Sequence, residues 1–542
     1  MQRDRNYKAR VFFVFLGIFC LYGIIVARLF LLQIYQKDFF KILARHQHYL
    51  TVSFEPDRAE IRDKNGTLLA FNKEVPSAFV LPRQLQDKAR TKKFLKQHYP
   101  QVYQRMMDDK KRHFLWVERK LTPDRLQFLK QATLQDIQFV QETQRYYPFK
   151  EFSHVIGFTD IDNNGISGIE LEFSKQLQGT SITMLLSKDA RSKSLYFDKS
   201  VIQKGDSGKP LALTLDHRLQ FLSYEHLQET IDFFKAKSGS VLVMNPDTGE
   251  ILVMANYPTF DANGKILADL SQTKNLIVSE CFEFGSVMKT FSALAILEEG
   301  VTDLDELVDC EGKIGYVDGF RIENWKSLDV LPFRDVVRFS SNVGIAKMVQ
   351  RIGDKLYDHL IKIGFGKKTG ILFPGEREGF VNNPANWSRS SLHVMSFGYE
   401  VMATMLQVAL AMSVIANGGY LVKPILVQGQ RQSKSKKLYS DKTLALMKEI
   451  LSSVTGTNAC IPGFATMGKT GTARLLVDGK YSDTSHIYTF AGIIENADYR
   501  RVVVSFIKEP ERKHLWASDV AMPLFKKVAE KLAVHDMVAH QV

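Results

Sequence analysis

Cysteine is scarce: there are four in 542 residues, at Cys20, Cys281, Cys310 and Cys460, with no C-x-x-C pair among them. That spacing excludes a zinc finger and a redox dithiol. Small buried thiols are the plain reading, and one disulfide among the last three stays open. Also missing is any Arg/Lys-rich run with interleaved aromatics, so the net charge of +13 does not point to nucleic acid. It reads as a solvated basic surface, suited to anionic lipid or an anionic polymer. Internal repeats and low-complexity segments are absent. With 45% hydrophobic and 24% charged residues, the composition excludes a disordered class. The length exceeds one ordinary core, so two or more domains are expected.

Long hydrophobic runs are lacking too, with one exception. Residues 11–27 (VFFVFLGIFCLYGIIVA) carry no charge, and the apolar turn LFLLQI follows Arg28. As a helix, residues 11–34 span ~36 Å, enough to cross a bilayer. Arg28 can snorkel to the outer interface. Arg3, Arg5, Lys8 and Arg10 precede the run against a single acid, Asp4. The positive-inside rule then keeps residues 1–10 in the cytoplasm and exports the remainder. No small-x-small cleavage site follows, which favours an uncleaved single-pass anchor over a signal peptide.

Past the anchor, the chain divides near residue 205. Residues 45–205 are charged and mixed, with a strand-like run at 77–81 and a helical stretch at 123–132. From residue 206 the pattern tightens. A strand is expected at 211–216, a helix over 217–236, and a hairpin formed by 240–244 and 251–256 around Asn-Pro-Asp-Thr-Gly. Strand patterns return at 488–494 and 502–507, and a helix at 522–534. Strands at both ends with helices between predict an α/β (α+β) domain, its sheet assembled from N- and C-terminal pieces and flanked by helices.

Three short motifs carry chemistry. The first is Ser286-Val287-Met288-Lys289, at the head of an apolar stretch read as a buried helix over 286–299 and ended by Gly300. Positions i and i+3 share a helix face, so the Lys289 amine comes within reach of the Ser286 hydroxyl. A serine needs a base to become a nucleophile, and a desolvated lysine loses its charge and can serve. The helix N-terminus adds a field favouring negative charge. S-x-x-K alone is weak, since Ser271/Lys274, Ser433/Lys436 and Ser505/Lys508 match as well. The first two lie in polar segments, and the third lies in a strand whose i and i+3 positions face opposite ways.

The second motif is Ser340-Ser341-Asn342, between an apolar run and a helix pattern. Ser340 can relay a proton and Asn342 can hold an amide; an N-cap serine without chemistry is the competing reading. The third is Lys469-Thr470-Gly471-Thr472-Ala473, on an expected sheet-edge strand. Lys469 offers positive charge, Thr470 and Thr472 offer hydroxyls for a carboxylate, and Gly471 admits close approach. An extended peptide can pair along such an edge. The backbone N–H groups of Ser286 and Thr472 suit an oxyanion hole. A second K-T-G, at Lys368-Thr369-Gly370, reads as a loop after a helix and is set aside.

The order S-x-x-K, S-x-N, K-T-G resembles the penicillin-binding protein and serine β-lactamase superfamily. The resemblance runs further. DRAEIRDKNG at 57–66 is similar to the pedestal motif of class B penicillin-binding proteins, with Ala59 where glycine is usual, and residues 158–170 match the next pedestal segment. Residues 245–250, 366–376, 396–399 and 456–463 resemble transpeptidase-domain segments. Phe284 stands where proline is usual, and Glu400 where glycine is.

The resemblance implies a cytoplasmic tail (1–10), a transmembrane anchor (11–34), a mixed α+β pedestal (45–205) and a transpeptidase domain (206–536) with a central antiparallel sheet. It implies a serine D,D-transpeptidase that cross-links peptidoglycan through an acyl-enzyme on Ser286. Lys289 is then the base, Ser340 the proton shuttle and Asn342 a positioner; Lys469, Thr470 and Thr472 anchor the carboxylate. No metal or organic cofactor is needed, and β-lactams acylate as substrate mimics. SSNVG, GFTDIDNNGISGIE and SFGYE look closer to division-type than to elongation-type enzymes. Such enzymes work beside a multi-pass membrane glycosyltransferase and other divisome proteins. A non-catalytic β-lactam sensor or scaffold is the alternative from another class. A β-lactamase is disfavoured by the lack of a Glu-x-x-Leu-Asn element.

Overall fold

The computed structural model describes residues 2–41, 49–54, 56–109, 114–188, 195–203, 205–264, 270–456, 458–477, 479–512 and 514–539. It divides into two compact units, one holding residues 1–57 and 178–208, the other residues 58–177 and 209–542.

In the first unit, one apolar helix, Gln2–Phe30, widens into a π-type turn over Leu31–Tyr35. Residues 7–35 are long and apolar enough to cross a membrane. The same unit carries an antiparallel sheet of Tyr49–Phe54, Ile182–Lys188 and Leu195–Gln203, in that order of chain and space.

In the second unit, the strand Leu68–Val80 pairs antiparallel with Ile137–Tyr146, Leu115–Glu118 and Ile61–Arg62. Ile61–Arg62 also pairs in parallel with Leu211–Ala212, tying residues near 60 to the larger domain. Glu170 is fully buried, and its carboxylate accepts from Arg58 Nε and, at 2.7 Å, from Arg145 Nε. Two cations around one acid satisfy its lone pairs, the condition under which a buried charge is tolerated. Ala59 adopts no left-handed conformation, and its N–H donates to the Leu177 carbonyl at 2.8 Å. Alanine is therefore accommodated there.

The larger domain begins with α1 (His217–Phe234), β1 (Ser238–Met244) and β2 (Ile251–Tyr257). Its middle holds α2 (Lys289–Glu298), the hairpin β3 (Leu307–Val317) and β4 (Phe320–Pro332), α3 (Asn342–Val349) and α4 (Met405–Ala416). It closes with β5 (Ala465–Val477), β6 (Lys480–Glu495), β7 (Arg500–Lys508) and α5 (Ala517–Ala539). The sheet order is β2-β1-β7-β6-β5, antiparallel throughout, so N- and C-terminal pieces meet at β1 and β7.

Both faces of this sheet are covered, which explains the near-continuous apolar runs of β1 and β7. Leu242, Met244 and Met254 join one apolar cluster with α2 and α4. Val241, Val243, Val253 and Ala255 face a second cluster with α1 and α5. Every residue of α4 is buried, as is every residue of α2 from Lys289 to Leu297. α1 starts at Asp216, whose carboxylate accepts from Arg218 N and Leu219 N, an N-cap worth about 1 kcal/mol. β3 and β4 turn at Asp318 and Gly319, both at positive φ, the pairing a type I′ turn requires.

Candidate active site

Ser286 does not lie on an α-helix. It sits in a 3₁₀ turn, Gly285–Val287, and the α-helix begins at Lys289, three residues later than the sequence pattern predicts. Tertiary packing explains the difference. β5 presses on the turn so closely that a Cβ on Gly471 would lie 2.4 Å from the Phe284 carbonyl oxygen and 2.7 Å from Val287 Cγ2. Only glycine fits that approach. The turn tilts Ser286 toward the cleft and leaves Lys289 beneath it.

Lys289 is 1% exposed. Its Nζ lies 3.0 Å from Ser286 Oγ, 3.0 Å from Ser340 Oγ, 2.8 Å from the Ser340 carbonyl and 2.6 Å from Asn342 Oδ1. Burial, and then the Lys469 charge, push the Lys289 amine well below the ordinary lysine range. The consequence follows from counting hydrogens. A neutral amine has two N–H bonds and one lone pair. The Ser340 carbonyl can only accept. Asn342 Nδ2 donates to the Glu323 carbonyl at 2.8 Å, so the other end of that amide is oxygen and also accepts. These two acceptors take both N–H bonds, and the lone pair is left for a serine hydroxyl.

The Ser-Ser-Asn segment divides its work between its two serines. Ser341 is the N-cap of α3, its Oγ accepting from Gly344 N at 2.9 Å. Ser340 is held at φ +59, a left-handed conformation rare for serine, with its hydroxyl turned to both lysines. Lys469, also 1% exposed, donates to Ser340 Oγ at 3.3 Å and to the Thr470 carbonyl at 3.2 Å. Burial lowers its amine to about 7. Thr472 Oγ1 accepts from Ala517 N at 3.2 Å. Ser286, Ser340, Asn342, Lys469, Thr470 and Thr472 line one cleft of about 290 Å³, with Trp325, Arg338, Phe339 and Trp516 on its other walls. Lys289 and Gly471 support it from below. All eight residues expected from the sequence are thus brought together.

The decoys lie elsewhere. Ser505 and Lys508 are on β7, and Lys436 is in the short strand Lys434–Lys437. Thr369 donates through N and Oγ1 to Glu376 Oε1 in an outer loop. The four cysteines are free.

Comparison with known proteins places this arrangement. Residues 239–530 match the penicillin-binding protein transpeptidase domain, and residues 53–213 match the penicillin-binding protein dimerisation domain. The chain belongs to the penicillin-binding proteins. It is a class B member and a peptidoglycan D,D-transpeptidase. The probable peptidoglycan D,D-transpeptidase PenA of Neisseria meningitidis is 32% identical over 97% of this chain and 93% of its own. The peptidoglycan D,D-transpeptidase FtsI of Escherichia coli is 29% identical over 86% of this chain and 82% of its own. Among solved structures, penicillin-binding protein 3 of Mycobacterium tuberculosis complexed with aztreonam superposes with a TM-score of 0.67, at 26% identity, over 90% of this chain and 98% of that one.

The two positions where the resemblance leads one to expect proline and glycine hold Phe284 and Glu400 in this penicillin-binding protein. Phe284, 1% exposed, packs edge-on against Phe282 and Phe506. Glu400 has φ +56, a left-handed conformation that glycine adopts more readily than glutamate. Its N–H donates to Glu283 Oε1 at 2.9 Å, and its carboxylate accepts from Asn382 Nδ2 at 2.6 Å. Tyr481 OH also donates to Glu283, at 3.1 Å, and burial raises the Glu283 carboxyl. Sequence reasoning missed Asn324, Trp325 and Trp516. The signal for Asn324 was available: β4 alternates, and Asn324 shares its buried face with Ile322. A polar residue on a buried face must find partners.

Proposed function

We propose that this transpeptidase works through an acyl-enzyme on Ser286, with Lys289 as the base. The observation that carries the reading is the Lys289 lone pair, left for a serine hydroxyl once its N–H bonds are taken, with Ser286 Oγ and Ser340 Oγ each at 3.0 Å. Ser286 Oγ attacks the carbonyl between the two terminal D-alanines of a stem peptide, and its proton passes to Lys289. The N–H groups of Ser286 and Thr472 hold the oxyanion. The proton moves through Ser340 to the departing amine, the C–N bond breaks, and D-alanine leaves. An amine of a second stem peptide then attacks the ester, forming the cross-link and restoring Ser286. Asn342 orients the substrate amide. Lys469, with Thr470 and Thr472, receives the terminal carboxylate, which favours the charged form of Lys469. The scheme needs no metal or organic cofactor.

β-Lactams would acylate Ser286 in the same way, their leaving group kept tethered by the ring. A complex of the mycobacterial relative with aztreonam supports that reading. The test is labelling with a fluorescent penicillin. Wild type is expected to carry covalent label and Ser286→Ala none; equal labelling refutes the assignment. Turnover of a stem-peptide thioester separates the enzyme from a non-catalytic sensor.

We read the biological role as septal. The division-type segments SSNVG, GFTDIDNNGISGIE and SFGYE support it, as does the likeness to FtsI. Residues 1–10 lie in the cytoplasm and 11–34 form the anchor. The pedestal (45–205) and transpeptidase domain (206–536) lie outside, beside a multi-pass glycosyltransferase and other divisome proteins. Depletion should give filaments of undivided cells; rounded cells would instead indicate the elongation role.

A further inference from the structure

Asn324 lies on β4 beneath the cleft, 1% exposed, and its amide is saturated. Nδ2 donates to the Cys310 carbonyl at 3.0 Å and the Gly312 carbonyl at 2.8 Å. Both belong to β3, where the register with β4 shifts on either side of Gly312, a bulge that turns the two carbonyls to one side. With Nδ2 so fixed, the other end is oxygen. Oδ1 accepts from Ser341 Oγ at 3.0 Å, Asn342 N at 2.8 Å and Val343 N at 3.2 Å. These three donors come from successive residues of the turn that holds Ser340 at φ +59 and Asn342 Oδ1 2.6 Å from Lys289. A left-handed serine persists only where its surroundings over-determine it.

We propose that Asn324 is a positioning residue for transpeptidation: wedged between the β3 bulge and the 341–343 turn, it holds Ser340 and Asn342 against the Lys289 amine. This rests on the reading of Ser286, Lys289 and Ser340 given above. Asn324 touches no substrate. Its effect is geometric, and a displacement of about 1 Å at reacting groups lowers a rate by roughly 10²-fold.

The test measures the second-order rate of penicillin acylation on the full-length, detergent-solubilised protein, with melting followed in parallel. Asn324→Ala should slow acylation by about 30- to 100-fold. In a Ser340→Ala/Asn342→Ala background the same change should slow what remains by less than about threefold, because both side chains that the turn positions are gone and only the carbonyl of residue 340 still meets Lys289. Equal losses in both backgrounds overturn the proposal, as does undiminished acylation in Asn324→Ala. Should the alanine variant not fold, Asn324→Asp decides. A protonated carboxyl gives one O–H to a β3 carbonyl and keeps an acceptor for the turn, whereas a carboxylate repels both carbonyls. Its rate relative to wild type should therefore rise as the pH is lowered, and a flat ratio overturns the proposal. Label persisting in Ser286→Ala would sink the nucleophile and this inference together. Loss of label there with additive losses at Asn324 would sink this inference alone.

Discussion

Two triplets in this chain have the same letters and opposite surroundings. Lys368-Thr369-Gly370 sits in a loop, with Lys368 exposed and Thr369 bonded to Glu376. Lys469-Thr470-Gly471 sits on β5, with Lys469 buried under the cleft and bonded to Ser340. The difference is a sheet edge. β5 borders the sheet and packs against the turn bearing Ser286, and its Lys469 reaches Ser340 of the Ser-Ser-Asn segment. The loop meets nothing that reacts. A motif confers chemistry only through the backbone that presents it, and burial separates the two lysines: the one in the loop is exposed, while burial lowers the amine of the one in the cleft to about 7.

The sharpest way to break the comparison is to delete both lysines. Lys469→Ala is expected to lower kcat/KM by roughly 10²- to 10³-fold, in the range of a buried charge lost from a transition state. Lys368→Ala should leave it within about twofold. Comparable losses at the two sites would mean that β5 does not define the cleft.

A pH profile sharpens the same contrast. Lys289 must be neutral to act as base, and burial favours that form, so activity falls on the acid side as Lys289 gains a proton. Lys469 must be charged to receive a carboxylate, and burial brings it to about 7. Activity therefore falls on the alkaline side as Lys469 loses its proton, by up to tenfold per pH unit, giving a bell in kcat/KM. Lys469→Arg keeps its charge at all these pH values and should abolish the alkaline limb. An unchanged limb would assign it to another group. Lys368→Arg should leave the bell where it was.

These contrasts also mark what could be read from the sequence. β1 and β7 were legible as buried apolar runs, because packing on both faces leaves one small polar side chain inside each, Ser240 and Ser505. The apolar helix ending near residue 35 was legible because no other helix among the described residues is long and apolar enough to cross a membrane. That the eight residues singled out gather at one cleft was legible through motif order. The start of α2 was not, since a 3₁₀ turn at Ser286 is forced by β5, nearly 200 residues away. Nor could the pattern tell which serine of Ser340-Ser341 caps α3. That choice is made by Asn324, whose five hydrogen bonds are all non-local.

The threonines give the smallest and most discriminating contrast. Thr369 Oγ1 donates to Glu376 at 2.5 Å and its N–H at 2.6 Å, so that hydroxyl shares a carboxylate with the backbone. Thr369→Val removes one of the two donors. The site is partly solvated, so the expected loss is about 1 kcal/mol of stability. Melting should fall by a few degrees at most, with kinetics unchanged. Thr470 lines the cleft, where in the proposed mechanism its hydroxyl meets a substrate carboxylate. Thr470→Val should therefore leave melting nearly unchanged and raise KM by about fivefold to tenfold, the worth of one hydrogen bond of roughly 1 kcal/mol. The two variants make the same chemical change, and differential scanning with initial-rate kinetics reads both. If Thr470→Val lowered melting while sparing KM, its hydroxyl would belong to the fold, as that of Thr369 does, and the carboxylate would have to be held by Lys469 and Thr472 alone.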